Sequence, residues 1–304
     1  RLKEQIHSKV VLSPFKSKGV FRRLYNCLES VPRQGDVNHI TGDVNYLGLF
    51  LLRRRTVLTI LDCVFMNNRN RVKRNLLKLF WLTLPVRRCR YVTAISEATK
   101  TEILRYTGCE PDKIIVIPVA IADHFTRHDR AFNVVKPRIL QLGIAPNKNI
   151  PRLIDALSNL CCHLDIVGRY DPEYEALARR LGVDFTYSWG LSDEEILRKY
   201  EEADVVSLVS TYEGFGMPIL EGQAVGRPVV TSNVSSMPEV AGDAACLVNP
   251  YDVDAIREGF RRVIEDEAYR ENLVAKGFEN VKRYDPDAIA LQYLDLYQKV
   301  AAGQ

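Results

Sequence analysis

The stretch ADVVSLVSTYEGFGMPILEGQ, residues 203–223, changes character twice. Its first part, Val205 to Val209, is an apolar, β-branched run broken by one serine, which is how a strand covered on both faces reads. Glycines at 214 and 216 then allow positive φ and close backbone approach, and Pro218 suits the first turn of a helix. Strand, glycine turn and helix N-terminus in that order form an anion cradle, because the first N–H groups of a helix lack intrahelical partners and its dipole favours negative charge there. Two glutamates flank the cradle: Glu213 on the turn and Glu221 one turn inside the helix. Such a pair can be a hydrolytic acid/base couple, a metal clamp, a ribose-binding pair or two surface charges. The hydrolytic reading fits least, since that pair must face one bond from two walls, and here phosphate donors would lie between them.

Outward from this stretch the same rhythm continues. From Pro137, short apolar runs (RILQLG, HLDIVG, VDFTYSWG, RPVVTS, AACLVN) alternate with helical patterns such as NIPRLIDALSNL, PEYEALARRLG, SDEEILRKYEE and VDAIREGFRRVIED. Continuous Val/Ile/Leu strands between amphipathic helices predict a parallel sheet covered on both faces, a doubly wound α/β domain. The first half shows the pattern less clearly, with KVVL, VNHIT, VLTILD, RYVTAIS and IIVIP as strand candidates and SEATKTEILRYTG as a capped helix. We expect an N-terminal domain over residues 1–133 and a C-terminal domain over 134–285. The final amphipathic pattern, 286–304, is expected to form a helix crossing back onto the first domain. Ligands of such sheets bind at the carboxyl ends of the strands, so a site facing a central cleft is expected.

Composition narrows the class. A chain of 304 residues suggests two domains. No apolar run approaches the roughly 18 residues of a membrane span. The first residues carry no initiator Met and no apolar signal core, so no secretory signal is visible and the native start is expected to be missing. Seven cysteines at no framework spacing and five scattered histidines suggest neither a disulfide scaffold nor a zinc site, and point to a reducing cytoplasm. The net charge of +4 hides an asymmetry: residues 1–133 carry 24 Lys and Arg against 11 Asp and Glu, the remainder 18 against 27. A basic half attracts anionic lipid, phosphorylated substrates or nucleic acid. No recognition helix or aromatic RNA-binding signature accompanies the charge, so no nucleic-acid partner is expected. Residues 67–90, NNRNRVKRNLLKLFWLTLPVRRCR, read as a basic amphipathic helix able to lie on an anionic membrane or, more simply, to pack on a core with its arginines solvated. Asp252 and Asp254 spell the Asp-x-Asp of metal sites, but their place ahead of an amphipathic run reads as an N-cap. No metal site is expected.

Residues 210–250, STYEGFGMPILEGQAVGRPVVTSNVSSMPEVAGDAACLVNP, resemble the E-x7-E signature region of the family 4 retaining glycosyltransferases of the GT-B fold. The likeness extends to ILQLGIAPNKNIPRLIDAL, LDIVG, WGLSDEEILRKYEEADVVSLVS, TAISEATKTEIL and VIPVAIADHF, nearly the whole chain from about residue 37. It implies two Rossmann-like domains facing a central cleft and transfer of a hexose from a nucleoside diphosphate sugar with retention at the anomeric carbon. It also implies roles by position. Glu213 would contact the donor sugar and Glu221 the ribose hydroxyls, while the backbone of Gly214, Phe215, Gly216 and Met217, with Pro218 and Ile219 at the helix start, would approach the sugar and diphosphate. Lys148 would neutralise the diphosphate, Gly143 would form the loop beside it, and Trp189, Gly190 and Leu191 would border the nucleobase. Glu213, Lys148 and Asp62 are thus the catalytic candidates.

The sequence departs from the family pattern at two places. Ile144 stands where an Arg often follows the loop glycine, and Leu61 stands where a His often touches the sugar. His39 and Asp43, near the end of a predicted strand, are acceptor-side candidates, with a structural histidine as the competing reading. The expected donor is UDP-glucose, with GDP-mannose next. The expected acceptor is a lipid-linked or oligosaccharide hydroxyl in bacterial cell-surface or exopolysaccharide synthesis, with no metal or other cofactor, in the cytoplasm or at the inner face of the membrane. An epimerase or phosphorylase on the same fold, or a noncatalytic nucleotide-binding partner, are the alternatives.

Overall fold

A computed structural model describes residues 1–2 and 5–303. The chain divides into two compact units, residues 1–119 with 286–304, and residues 120–285.

The first unit begins with helix α1 (Val20–Ser30), followed by strands β1 (Asn38–Ile40) and β2 (Thr56–Ile60). Residues 71–88 run as one helical stretch: α2 (Arg71–Leu77), a π-helical turn over Lys78–Thr83, and α3 (Leu84–Arg88), with Pro85 in the first turn of α3. Strand β3 (Tyr91–Ala94), helix α4 (Glu97–Thr107) and strand β4 (Ile114–Val116) complete the series. Helix α4 starts where the sequence predicts, with the Ser96 hydroxyl accepting from Thr99 N–H, and ends on Gly108 in the left-handed conformation. The sheet is parallel in the order β1-β2-β3-β4. Every residue of β2 is buried, as its TVLTI sequence requires of an inner strand. The expected strand KVVL is absent: residues 9–12 are irregular, with Val10 and Leu12 more than 80% exposed. Apolar and β-branched content is not enough to make a strand without a neighbour to pair with.

The second unit holds β5 (Arg138–Leu142), α5 (Ile150–Leu157), β6 (His163–Val167), α6 (Pro172–Arg180), β7 (Asp184–Ser188), α7 (Asp193–Glu202) and β8 (Val205–Leu208). These are followed by α8 (Met217–Val225), β9 (Val229–Ser232), α9 (Met237–Ala241), β10 (Cys246–Val248), α10 (Val253–Glu265) and α11 (Glu267–Val281). Its six strands are parallel in the order β10-β9-β8-β5-β6-β7. The chain moves outward from β5 to β7, then returns to lay β8 against the other side of β5. The topological switch point therefore lies between β5 and β8. Helix caps follow local sequence: Ser192 and Glu195 form a capping box on α7, and Asp252 accepts from the N–H groups of Asp254 and Ala255 at the start of α10. Asp254 in turn pairs with Arg257, so the Asp-x-Asp letters are a helix start. The last helix, α12 (Pro286–Ala301), belongs to the first unit and buries Ile289, Leu296 and Val300.

The boundary differs from the expected 133/134. Residues 120–133 belong to the second unit because their polar groups are satisfied there: Ile121 N–H donates to Tyr284 O, His128 N–H to Val225 O and Asn133 N–H to the buried Asp204 carboxylate.

Candidate active site

The expected donor-side residues lie in the second unit, and their core gathers at the switch point. The loop leaving β5 carries Lys148, and the loop leaving β8 carries Glu213; Lys148 Nζ donates to Glu213 Oε1 over 2.8 Å, with both side chains more than 80% buried. Gly143 makes room for the lysine. Its φ is +79°, and a Cβ there would stand 3.1 Å from Lys148 Cε.

Backbone bonds clamp the two loops. Thr211 N–H donates to Asn147 O at 2.8 Å, and Asn147 Nδ2 donates to Tyr212 O at 2.9 Å and to Glu213 Oε1 at 3.4 Å. Asn149 opens α5 in the left-handed region, φ +61°, a strained conformation for a non-glycine residue. Its side chain fixes it there by donating to Val209 O and Pro250 O, which ties together the connections after β5, β8 and β10. From the connection after β9, the hydroxyls of Ser235 and Ser236 donate to Glu213 O at 2.6 and 2.9 Å, and Ser236 also reaches Phe215 O at 2.7 Å.

The glycine turn then enters α8. Gly216 has φ +114°, and a Cβ there would meet Ile219 Cδ1 at 3.1 Å; Gly214 is not among the positive-φ glycines. The Phe215 ring turns into the core and packs edge-on against Tyr284, and the Ile219 side chain is fully buried with its N–H donating to Gly216 O. Pro218 has no N–H to offer. The N–H groups of Gly216 and Met217 at this helix start donate to no partner among the described residues.

Glu221 lies just over one turn into α8. The fully buried Tyr200, from the last turn of α7, donates a short hydrogen bond from its hydroxyl to Glu221 Oε2. Burial raises the Glu221 pKa above the ordinary carboxylate value, while the Tyr200 hydrogen bond and the nearby His124 and Lys148 pull it down; burial wins. The same burial and the facing carboxylate push the Tyr200 phenol well up. Arg227 steadies this tyrosine by donating from Nε to Tyr200 O and from Nη2 to Glu201 O, capping the end of α7. Phe125 packs edge-on against the Tyr200 ring with His124 beside it, so residues 120–133 contribute to the surroundings of Glu221. Sequence reading assigned no role to Tyr200, His124, Asn147, Asn149, Ser235 or Ser236. All six lie within quoted motifs, but no side chain among them carries a local signal of its role, which depends on partners distant in sequence.

Other candidates fall elsewhere. Trp189, Gly190 and Leu191 follow the edge strand β7 at the same carboxyl edge of the sheet; the Trp189 side chain is 71% exposed, and Gly190 turns at φ +72°. Hydrogen bonds from Gly143 N–H to Val167 O and from Gly168 N–H to Ser188 O link the ends of β5, β6 and β7 along that edge. Ile144 lies against Gly168, where a Cβ would be 2.8 Å from its Cγ2.

Asp62, Leu61, His39 and Asp43 are in the first unit. Asp62 follows β2 and accepts from Val64 N–H, and Leu61 beside it is exposed. His39 sits in the middle of β1 instead of its end, and both ring nitrogens are engaged: Nδ1 with Tyr297 Oη and Nε2 with Thr59 Oγ1, each at 2.6 Å. Burial lowers its pKa to about 4, and its ring is held by Tyr297 and Thr59 as the structural reading of this histidine expects. Asp43 likewise accepts from Trp81 Nε1 at 2.6 Å, a bond that orients the indole. Among the described residues, no group of three or more His, Cys, Asp or Glu side chains is arranged to hold a metal ion.

Comparison with known proteins places this arrangement. Among curated proteins, O-antigen chain mannosyltransferase B of Escherichia coli is 28% identical over 230 residues, covering 69% of this chain and 60% of the relative. The MMP alpha-(1->4)-mannosyltransferase of Mycolicibacterium hassiacum is 30% identical over 224 residues, covering 68% of this chain and 54% of the relative. The chain thus spans less than two thirds of these relatives. Among solved structures, Anabaena HepE in complex with UDP and glucose superposes with a TM-score of 0.78 at 18% identity, covering 90% of this chain and 81% of that one. Likeness at that identity speaks for the fold, and the fold is the GT-B class expected from the sequence, with an α/β parallel sheet in each unit. The family profile described as "Glycosyl transferases group 1" matches residues 125–280, just over half of the chain, and the chain belongs to that family.

Proposed function

We propose that this protein transfers a hexose from a nucleoside diphosphate sugar to a hydroxyl of a saccharide or lipid-linked saccharide acceptor, with retention at the anomeric carbon. The observation that carries this reading is the Lys148–Glu213 pair at the β5/β8 switch point, with Glu221 and the start of α8 beside it. The diphosphate gains negative charge as the glycosidic bond to it breaks, and the Lys148 ammonium with the Gly216 and Met217 N–H groups can stabilise that charge without reorganising. Glu213 is assigned to the donor sugar and Glu221 to the ribose hydroxyls. No side chain stands out as a covalent nucleophile, so the leaving phosphate oxygen is assigned the acceptor proton. Lys148, the helix start and the chain's own polar groups suffice for this scheme, which calls on no metal. Trp189 to Leu191 are assigned to the base, and the first unit, with Asp62, to the acceptor side.

The mannosyl donor is favoured over the glucosyl donor first expected, because the curated relatives named above are mannosyltransferases; GDP-mannose is the proposed substrate and UDP-glucose the competitor. O-antigen synthesis by a relative supports a polysaccharide product, and seven free thiols fit work in the reducing cytoplasm.

Thermal shift with GDP-mannose, UDP-glucose, GDP and UDP tests donor binding, since a ligand of the native state raises the melting temperature by mass action. Glu213→Gln frees Lys148 from its partner. It should bind the plain diphosphate at least as well as the parent, lose the extra affinity due to the sugar, and turn over about 100-fold more slowly or worse. Unchanged turnover in Glu213→Gln would remove this assignment.

A further inference from the structure

The second unit holds a cavity of about 670 Å³ on the side of its sheet away from Lys148 and Glu213, a volume typical of small-molecule sites. Asp204, which leads into β8, and Arg227, which leads into β9, line it, so it lies at the amino ends of these strands. Every lining residue falls between 127 and 278, inside the segment 125–280 that the family profile matches.

The cations of this cavity have donors to spare. Arg227 is 5% exposed, and of its five N–H groups one meets Tyr200 O at 3.1 Å, one Glu201 O at 2.9 Å, and a third Gly226 O at a long 3.5 Å. Asp204, Glu201 and Asp129 act on it only at a distance. Burial, and after it the like charge of Arg130, lower its pKa. Arg130 Nε stops 3.6 Å from Asp204 Oδ1, and its guanidinium makes no hydrogen bond among the described residues. The His128 ring, 3.7 Å from a Glu201 oxygen, is in the same condition. The acids, by contrast, are largely taken. Asp129 accepts from Arg127 at 2.7 Å, and Asp204 from the N–H groups of Asn133 and Arg138 at 3.1 and 2.7 Å. Glu267 lies 3.9 Å from Arg270, and Glu271 is exposed. Phe278 adds an apolar wall, with Arg127 over its ring at 5.1 Å.

We propose that this cavity binds an organic phosphate monoester, its head bridging Arg130 and Arg227 and its apolar part lying along Phe278. Two guanidiniums near each other, neither hydrogen-bonded to a carboxylate, are best answered by a dianion with several acceptor oxygens; a carboxylate brings a single charge. Capping α7 uses two N–H groups of Arg227 and leaves the neighbouring Arg130 and the cavity without a purpose. The proposal does not rest on the transfer reaction.

The test is hydrogen exchange and calorimetric titration of the intact chain with phenyl phosphate, inorganic phosphate and benzoate, each up to about 10 mM. Phenyl phosphate should slow exchange in residues 127–133, 226–228 and 267–278. Protection should extend to 199–204, because Arg227 also holds the end of α7. Benzoate and inorganic phosphate should each bind about tenfold more weakly, the first for want of charge and the second for want of the ring. Arg130→Ala should weaken phenyl phosphate about tenfold, and Arg130→Lys should recover only part, since an ammonium lacks the planar fork. Arg130 is on the surface, so both variants should melt within a degree or two of the parent. Lys148→Met, which alters the donor site, should leave this binding unchanged. Protection confined to 143–149 and 213–219 and lost in Lys148→Met would assign the phosphate to the donor site and overturn the proposal. So would no protection at the highest concentration, binding indifferent to Arg130→Ala, or benzoate bound as tightly as phenyl phosphate.

Discussion

Glu221 shows how much of a residue's chemistry comes from neighbours far away in sequence. Its position eight residues after Glu213 is visible in the sequence, but its raised pKa is set by burial and moderated by Tyr200, His124 and Lys148. An ionised carboxylate accepts hydrogen bonds from a pair of ribose hydroxyls on both oxygens and more strongly than a protonated carboxyl, one of whose oxygens has become a donor. With the pKa raised in the free protein, protonation is favoured as the pH falls, and it sets in at higher pH than for an exposed glutamate. Nucleotide-sugar affinity should therefore weaken as the pH is lowered from neutral, using a sugar-linked diphosphate that has no secondary phosphate proton to gain. Tyr200→Phe removes the one hydrogen bond that favours the ionised form. We expect its midpoint to move to higher pH and its affinity at neutral pH to drop roughly tenfold; calorimetric titration across pH reads both, and an unmoved midpoint would leave Tyr200 a packing residue. Lys148, Glu213 and Glu221 were legible because each lies in a local motif. Tyr200 looked like an ordinary residue in the last turn of a helix, and Asn149 like a loop residue, because their work is done across the fold.

At the scale of the element, α8 is apolar nearly all round, with Ile219, Leu220, Gly222, Gln223, Ala224 and Val225 buried, so packing against the sheet sets its position. Gly222 sets that distance. A Cβ there would lie 2.9 Å from Val206 Cγ2 and 3.2 Å from Val229 Cγ2. Gly222→Ala should destabilise the second unit by about 1–3 kcal/mol and weaken donor binding by displacing both glutamates, and Val206→Ala in the same chain should recover part of both losses. Chemical denaturation of the two single variants and the double variant measures this; strict additivity would show that the contact does not govern the helix. The strands of the second unit were legible because a sheet covered on both faces writes itself as apolar runs. Helix α11 was not, and the reason is physical: its buried positions are Arg270, Leu273, Gly277 and Asn280, which give no apolar period to find. KVVL misled in the opposite direction, since its composition suits a strand that the topology does not supply.

For the whole molecule, the two units draw on different parts of the chain for closure. The first is completed by α12, whose Tyr297 bonds His39 in β1 and continues through Thr59 to Thr93, a polar line across three strands. Ending the chain at Asp285 removes that helix, strips Tyr293 and Tyr297 from the His39 ring, and should abolish cooperative unfolding of the first unit. Protection of the second unit by nucleotide sugar should persist, because every residue of its switch point is retained. Hydrogen exchange resolved along the chain checks both, and loss of ligand protection together with the first unit would show that the second does not stand alone. The doubly wound character of the second unit and the return of α12 to the first could be read from sequence. The placement of residues 120–133 could not, because it depends on backbone bonds to Tyr284, Val225 and Asp204.

The chain has two tryptophans, one in each unit: Trp81 is buried beneath Arg23, and Trp189 stands 71% exposed at the end of β7. Their emission should differ in colour, blue-shifted from the enclosed indole and red-shifted from the wetted one. The native protein thus carries two built-in optical probes, and Trp81→Phe would leave a single lamp beside the proposed base-binding loop, dimmed when a nucleobase stacks on it and silent about the other half of the chain.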